Sequence, residues 1–151
     1  MVKFGLMLFA GLFLTCGLAR PAAAIKPFQD EFEKLYVGEE PDTETELGKL
    51  FTEKELKKFC CLCCHQGKKK KVRNPYGTQL AELLDKKEDK KNKEKIIAAL
   101  EKVAEMRSDP KDENSPTFGE LIASGQLPGG SLEEVKKEPE GSEDESEEEA
   151  N

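Results

Sequence analysis

Four cysteines and the only histidine of the chain fall within Cys60–His65, in the stretch "KFCCLCCHQGKKKKVRNPYG". Whatever fold forms must gather these soft ligands in one place. Cross-linking thiols this close in sequence closes only very small loops, so a disulfide framework here adds little stability. A structural zinc site draws about four ligands from two separated pairs, and no second pair exists, so zinc would have to recruit carboxylates. A thioredoxin-like redox pair belongs beside a βαβ pattern, which the sequence lacks. One pattern uses what is present. Cys61-Leu62-Cys63-Cys64-His65 reads C-x-x-C-H, the attachment signature of c-type haem. Two thiols three residues apart reach the two vinyl groups of one porphyrin edge, and the adjacent imidazole becomes the proximal iron ligand. Cys60 and Cys63 share the spacing, but Cys64 follows them rather than a histidine, so His65 fixes the register. The extra thiols are open to a disulfide of their own or to competition during attachment. A haem-free protein whose cysteines bind metal or form disulfides, acting as a structural or interaction module, is the alternative from a different class.

The chain opens with Lys3, an apolar run from Phe4 to Ala19, and "RPAAA", in which Ala22 and Ala24 suit signal-peptidase cleavage before Ile25. Residues 1–24 therefore read as an export signal. The competing readings are an uncleaved anchor, for which the run is shorter than the roughly 20 residues of a span, and a lipoprotein signal at Cys16, which Phe13, Leu14 and Thr15 fit poorly. Export to the periplasm or beyond permits both disulfides and covalent cofactors. Loss of Lys3 and Arg20 with the signal takes the formal charge of −7 two units further negative.

Charge divides the remainder. From Glu133 onward "EEVKKEPEGSEDESEEEAN" holds ten acids against Lys136 and Lys137. No large apolar residue follows Val135, so residues 131–151 read as a disordered acidic tail. Between Glu53 and Arg107 sixteen Lys and Arg face nine Asp and Glu. Residues 25–130 are left to form one small domain.

Within it, Phe28, Phe32, Leu35 and Tyr36 mark one face of a helix. Gly38–Gly48 is a polar connection. Thr52 and Glu55 have capping-box spacing for a helix running into the cysteines. "RNPYG" carries turn chemistry, and Thr78 is placed to cap a helix that turns Leu80, Leu83 and Leu84 inward. Ile96, Ile97, Leu100, Val103 and Ala104 form the clearest helical stripe, with Met106 at its edge. Ser115 with Pro116 at the first helical position begins a short helix bearing Phe118, Leu121 and Ile122, which Gly125 ends. No segment alternates like a strand. The expected class is all-α, four or five short helices in a cytochrome c-like domain.

The lone histidine rules out bis-histidine ligation within one chain, and a Ser-His-Asp set is incompatible with a histidine already committed, so no catalytic residues are expected. Met106 is the one methionine beyond the signal and is the candidate distal ligand. Without it the iron is five-coordinate, suited to a small gas, or takes water or a lysine. Lys68–Lys71 and Arg73 follow His65 and would form a basic rim that steers an acidic redox partner; as a solvated loop they would do nothing. The run lacks interleaved aromatics, so nucleic acid is not an expected partner. The acidic tail either screens this rim or serves solubility.

With these residues in view, the chain resembles a group of small secreted c-type cytochrome-like proteins of planctomycete bacteria. The resemblance covers most of the chain after the signal: "PFQDEFEKLY", "CLCCHQGKKKKVRNPYG" and "PTFGELIASGQLP". It implies one covalent haem c held by Cys61, Cys64 and His65 in an electron-transfer protein. Common cytochromes c carry the distal methionine in a loop near glycine and proline, and Met106 departs from that pattern.

Overall fold

The structure, a computed structural model, describes residues 26–67 and 71–139. The export signal, Lys68–Lys70 of the lysine run and the tail beyond residue 139 lie outside the described residues. Six helices and one two-stranded ribbon make a mostly helical domain: α1 Lys26–Phe32, continued by a π-helical turn Glu33–Val37; α2 Glu46–Thr52; a 3₁₀ helix Lys57–Cys63; β1 His65–Gln66; β2 Val72–Arg73; α3 Pro75–Leu83; α4 Lys93–Ala104; α5 Phe118–Ala123; and α6 Leu132–Lys136. No helix among the described residues is long and apolar enough to cross a membrane.

The core is organised around Phe32, which is 2% exposed. Its ring lies 5.1 Å from Tyr36, 6.1 Å from Phe51 and 6.0 Å from Tyr76, and Tyr76 continues the chain of edge-on contacts to Phe118 at 5.3 Å. Such offset aromatic pairs add to the area they bury. The stripe of α4 closes the core from the other side through buried Ile96, Ala99, Leu100 and Val103, with Ile97 and Ala104 at its half-buried margin.

Three helix starts differ from the sequence expectation, each because a better cap lies upstream or downstream. Thr45 caps α2, accepting from Gly48 N–H at 3.0 Å while donating to the Asp42 carbonyl at 2.8 Å. The stripe Leu47, Leu50 and Phe51 therefore lies in α2 itself, and Thr52 ends that helix instead of starting another. Asn74, not Thr78, caps α3, with Pro75 in the first turn; an Asn cap followed by Pro outranks a Thr inside the helix. At α5 Thr117 and Glu120 form a reciprocal capping box, 3.1 and 2.7 Å. Ser115 is instead buried, its hydroxyl donating to the Asp109 carbonyl at 2.9 Å to pin the preceding loop. Pro116 stays extended because its carbonyl accepts from Ser108 N–H at 2.9 Å, beside the isolated bridge between Arg107 and Thr117.

Two elements lie where none was expected. The ribbon pairs His65 with Arg73 and Gln66 with Val72, antiparallel; two residues per strand are too few to show alternation. Helix α6 occupies residues assigned to the tail. Ser131 and Glu134 form its capping box, Val135 is 1% exposed, and the Val135 carbonyl accepts from Gly67 N–H at 2.8 Å. One buried valine and two capping residues fold this segment despite its acidity.

Val135→Ala is expected to cost about 2 kcal/mol, read as a lower midpoint in urea unfolding; an unchanged midpoint would remove α6 from the cooperative unit. The two tyrosines supply a second check. Burial, with the Glu101 charge adding, pushes Tyr36 up to about 12, and burial pushes Tyr76 higher still. The folded chain keeps protons that the unfolded chain releases from about pH 10. Their stabilising contribution is thus full below pH 10 and is lost as pH rises through the folded values. Tyrosinate absorbance should rise together with loss of the circular dichroism signal; tyrosinate appearing near pH 10 in a folded chain contradicts this packing.

Candidate haem-attachment site

The cysteines sit on a 3₁₀ helix, and that geometry sorts them. In a three-residue turn, side chains at i and i+3 eclipse. Cys60 therefore stacks over Cys63, and Cys61 leads to Cys64 just beyond the helix end. Burial follows the same division: Cys60 and Cys63 are 8% and 3% exposed, whereas Cys61 and Cys64 are half-buried. All four are present as thiols. Burial pushes Cys63 well up, with the neighbouring Cys64 and Cys61 adding to the effect. Burial also pushes Cys64 up to about 12, Cys61 adding and the positive charge of Arg73 opposing.

His65 follows directly on β1 and is 5% exposed. Its cross-strand partner is Arg73, and residues directly opposite on an antiparallel pair project from the same face. The imidazole and the guanidinium thus share one side of the ribbon.

Asn74 joins this segment to α3. Its Oδ1 accepts from Gly77 N–H at 2.9 Å, and its Nδ2 donates to the carbonyls of Leu62 at 2.9 Å and Cys63 at 3.1 Å. Its own N–H donates to the Cys64 carbonyl at 3.2 Å. Gly77 completes the junction: a Cβ there would lie 1.9 Å from the Cys64 carbonyl oxygen. Only a residue without a side chain lets α3 approach so closely.

Beside this junction lies a cavity of about 270 Å³. Cys60, Cys61, Cys63, Cys64 and His65 form one wall, Phe28, Phe32 and Phe51 a second, and Gly77, Leu80, Ala81, Leu84 and Leu100 a third; Gln29, Arg73, Asp85 and Lys86 supply its polar margin. The three residues of the C-x-x-C-H reading are thereby brought to one space. The residues fit a haem c: the space is lined by apolar and aromatic side chains, by four cysteines and by a buried histidine. Among the described residues no three His, Cys, Asp or Glu side chains converge to hold a bare metal ion.

Met106 is not part of this arrangement. It is half-buried against the core, its carbonyl accepting from Phe118 N–H at 2.9 Å, and it does not line the cavity. Of the basic rim, Lys71 and Arg73 are described, both exposed. Sequence reasoning gave Asn74, Gly77 and Lys86 no part in the site and did not show that Arg73 lies opposite His65. The Asn-Pro turn signal a few residues after the cysteines was what the sequence offered for the first two; for the aromatic wall it marked Phe28 and Phe32 as one helix face but not that they meet the cysteines. No family model, no curated protein and no solved structure matches this chain.

Asn74→Asp separates the two jobs of Asn74. The carboxylate still caps α3 but faces the Leu62 and Cys63 carbonyls without a proton to give. The expected loss is roughly 2–3 kcal/mol in denaturant unfolding, whereas a purely capping role would leave stability near the wild-type value.

Proposed function

We propose that the protein is an exported c-type cytochrome that carries electrons through a single covalent haem. The observation that carries this reading is the convergence of Cys61, Cys64 and His65 on one apolar cavity. Cys61 and Cys64 would hold the porphyrin through thioether links, and His65 would be the proximal iron ligand. The haem supplies reversible one-electron chemistry when bound. The chain's own residues do the rest. The aromatic wall keeps water from the site, and the β1–β2 pairing orients the imidazole. Arg73 holds a fixed positive charge on the imidazole's side of the ribbon; a nearby cation favours the less positive, reduced state of a redox centre. Cys60 and Cys63 line the same cavity, but no histidine follows their spacing, and in this reading they take no part in attachment.

The domain is cytochrome c-like in this reading only in its use of the C-x-x-C-H motif. Lys71 and Arg73, with the lysines preceding them in sequence, would present a cationic surface to an acidic redox partner. Because Met106 lies away from the cavity, the reading leaves it out of the iron's ligand set. Reduced protein that takes up carbon monoxide would agree with that; a reduced form refusing carbon monoxide would call for a protein ligand from elsewhere.

Expression with haem-attachment machinery and haem staining of a denaturing gel tests the reading. The wild type and the Cys60→Ala, Cys63→Ala variant should stain, and the Cys61→Ala, Cys64→Ala variant should not. A colourless wild type with the mass of the bare polypeptide sinks the proposal.

A further inference from the structure

The cavity has a direction. Gly77, Leu80, Ala81 and Leu84 line it at the spacing of one helical face, so α3 runs along its length. The Gly77 end abuts Cys64. From there to Leu84 the helix rises about 10 Å, and Lys86 stands at that far end, half-buried on the cavity margin. The cavity therefore has a thiol end and a far end where Lys86 and Asp85 stand, separated by apolar wall.

Lys86 has no ion-pair partner among the described residues. The adjacent Asp85 also lines this end; its carboxylate accepts from the backbone N–H groups of Glu88 at 3.0 Å and Lys87 at 2.6 Å, and those bonds, with the charges of Lys87 and Lys86 adding, hold its pKa down, but it makes no ion pair with Lys86. Lys86, without an ion-pair partner of its own among the described residues, can offer its ammonium to an anion bound in the cavity. A porphyrin of the kind that forms thioethers carries its vinyl groups on one edge and two propionate carboxylates on the opposite edge. With the vinyl edge at Cys61 and Cys64, the carboxylates fall toward the end of the cavity where Lys86 stands.

We infer that Lys86 anchors the carboxylate edge of the porphyrin, an inference that rests on the haem reading above. Lys86 is a positioning residue: it sets which way the macrocycle lies before the thiols are joined to it. Arg73 does not duplicate this role, because its pairing with His65 keeps it at the thiol end.

The test uses the full, reduced chain and two probes, mesoporphyrin and its dimethyl ester. Neither has vinyl groups, so neither is captured by the thiols, and the ester has no carboxylate to pair. Binding is read from porphyrin fluorescence. Lys86→Gln should weaken mesoporphyrin binding by about tenfold, the scale of a charge-assisted hydrogen bond in a partly buried setting, and leave the ester unchanged. Lys86→Arg should restore most of the loss. Unaltered ester affinity also certifies that the variant is folded. Equal weakening of both probes would reassign Lys86 to packing through its aliphatic stem and overturn the inference. So would unchanged binding of both, an arginine variant that behaves like glutamine, or a wild type that binds neither probe. Haem staining decides the parent reading separately: a stained wild type with any of these outcomes loses the inference alone.

Discussion

The junction at Asn74 holds the site together. The turn that ends the 3₁₀ helix leaves the carbonyls of Leu62, Cys63 and Cys64 without partners inside the helix, and buried carbonyls of this kind must be satisfied. Asn74 satisfies all three, two with its side-chain amide and one with its backbone N–H, while its side-chain oxygen caps α3. It is 1% exposed, so water cannot substitute. The cysteine turn and α3 are consequently placed relative to each other by one side chain, and the cavity is the space that this placement leaves. The junction is tight on its other side too. A Cβ on Gly129 would lie 2.0 Å from the Asn74 amide nitrogen, so the chain after α5 closes over Asn74 and continues into α6 beneath the cysteine segment.

What the sequence displayed was local. The α4 stripe and Phe28 and Phe32 of α1 were legible because 3.6-residue periodicity survives in twelve and seven residues of helix, whereas Leu35, expected on the same face, is 38% exposed in the π-helical turn that follows. Helix starts were less legible because several Ser, Thr and Asn residues competed for each. Thr45, Asn74 and Thr117 are the caps, each accepting from a first-turn backbone N–H, and none of Thr52, Thr78 and Ser115 caps a helix. Helix α6 was hidden by its charge: composition weighed ten acids and overlooked that a single valine, with a capping box before it, suffices once a groove exists to receive it.

At the site the same division holds. Cys61, Cys64 and His65 were legible because ligand chemistry and spacing reside in adjacent residues. The walls were not, since Phe28, Phe51 and Leu100 reach the cavity from three separate helices and nothing local announces their meeting. Arg73 shows the difference most clearly. In sequence it belongs with the lysine run, and only the ribbon register brings it opposite His65. Met106 fails for the converse reason. Its chemistry qualified it as a ligand, but the α4 end on which it sits turns toward α5.

The arrangement of the four thiols bears on how the site could be loaded. A thiol reacts as its thiolate, and burial that raises its pKa keeps it in the inert protonated form. Cys63, the most deeply buried of the four, is held there by desolvation, and Cys64 is pushed to about 12 even with Arg73 pulling the other way. Thiols so protected resist adventitious oxidation and capture of stray metal, at the cost of slow reaction with anything else. All four cysteines line the cavity, Cys60 and Cys63 less exposed than Cys61 and Cys64. If haem is attached, discrimination between the two overlapping C-x-x-C pairs would rest on the position of His65. Covalent loading would require an outside catalyst or an opened turn, and opening the turn would break the hydrogen bonds from Asn74 to the Leu62, Cys63 and Cys64 carbonyls.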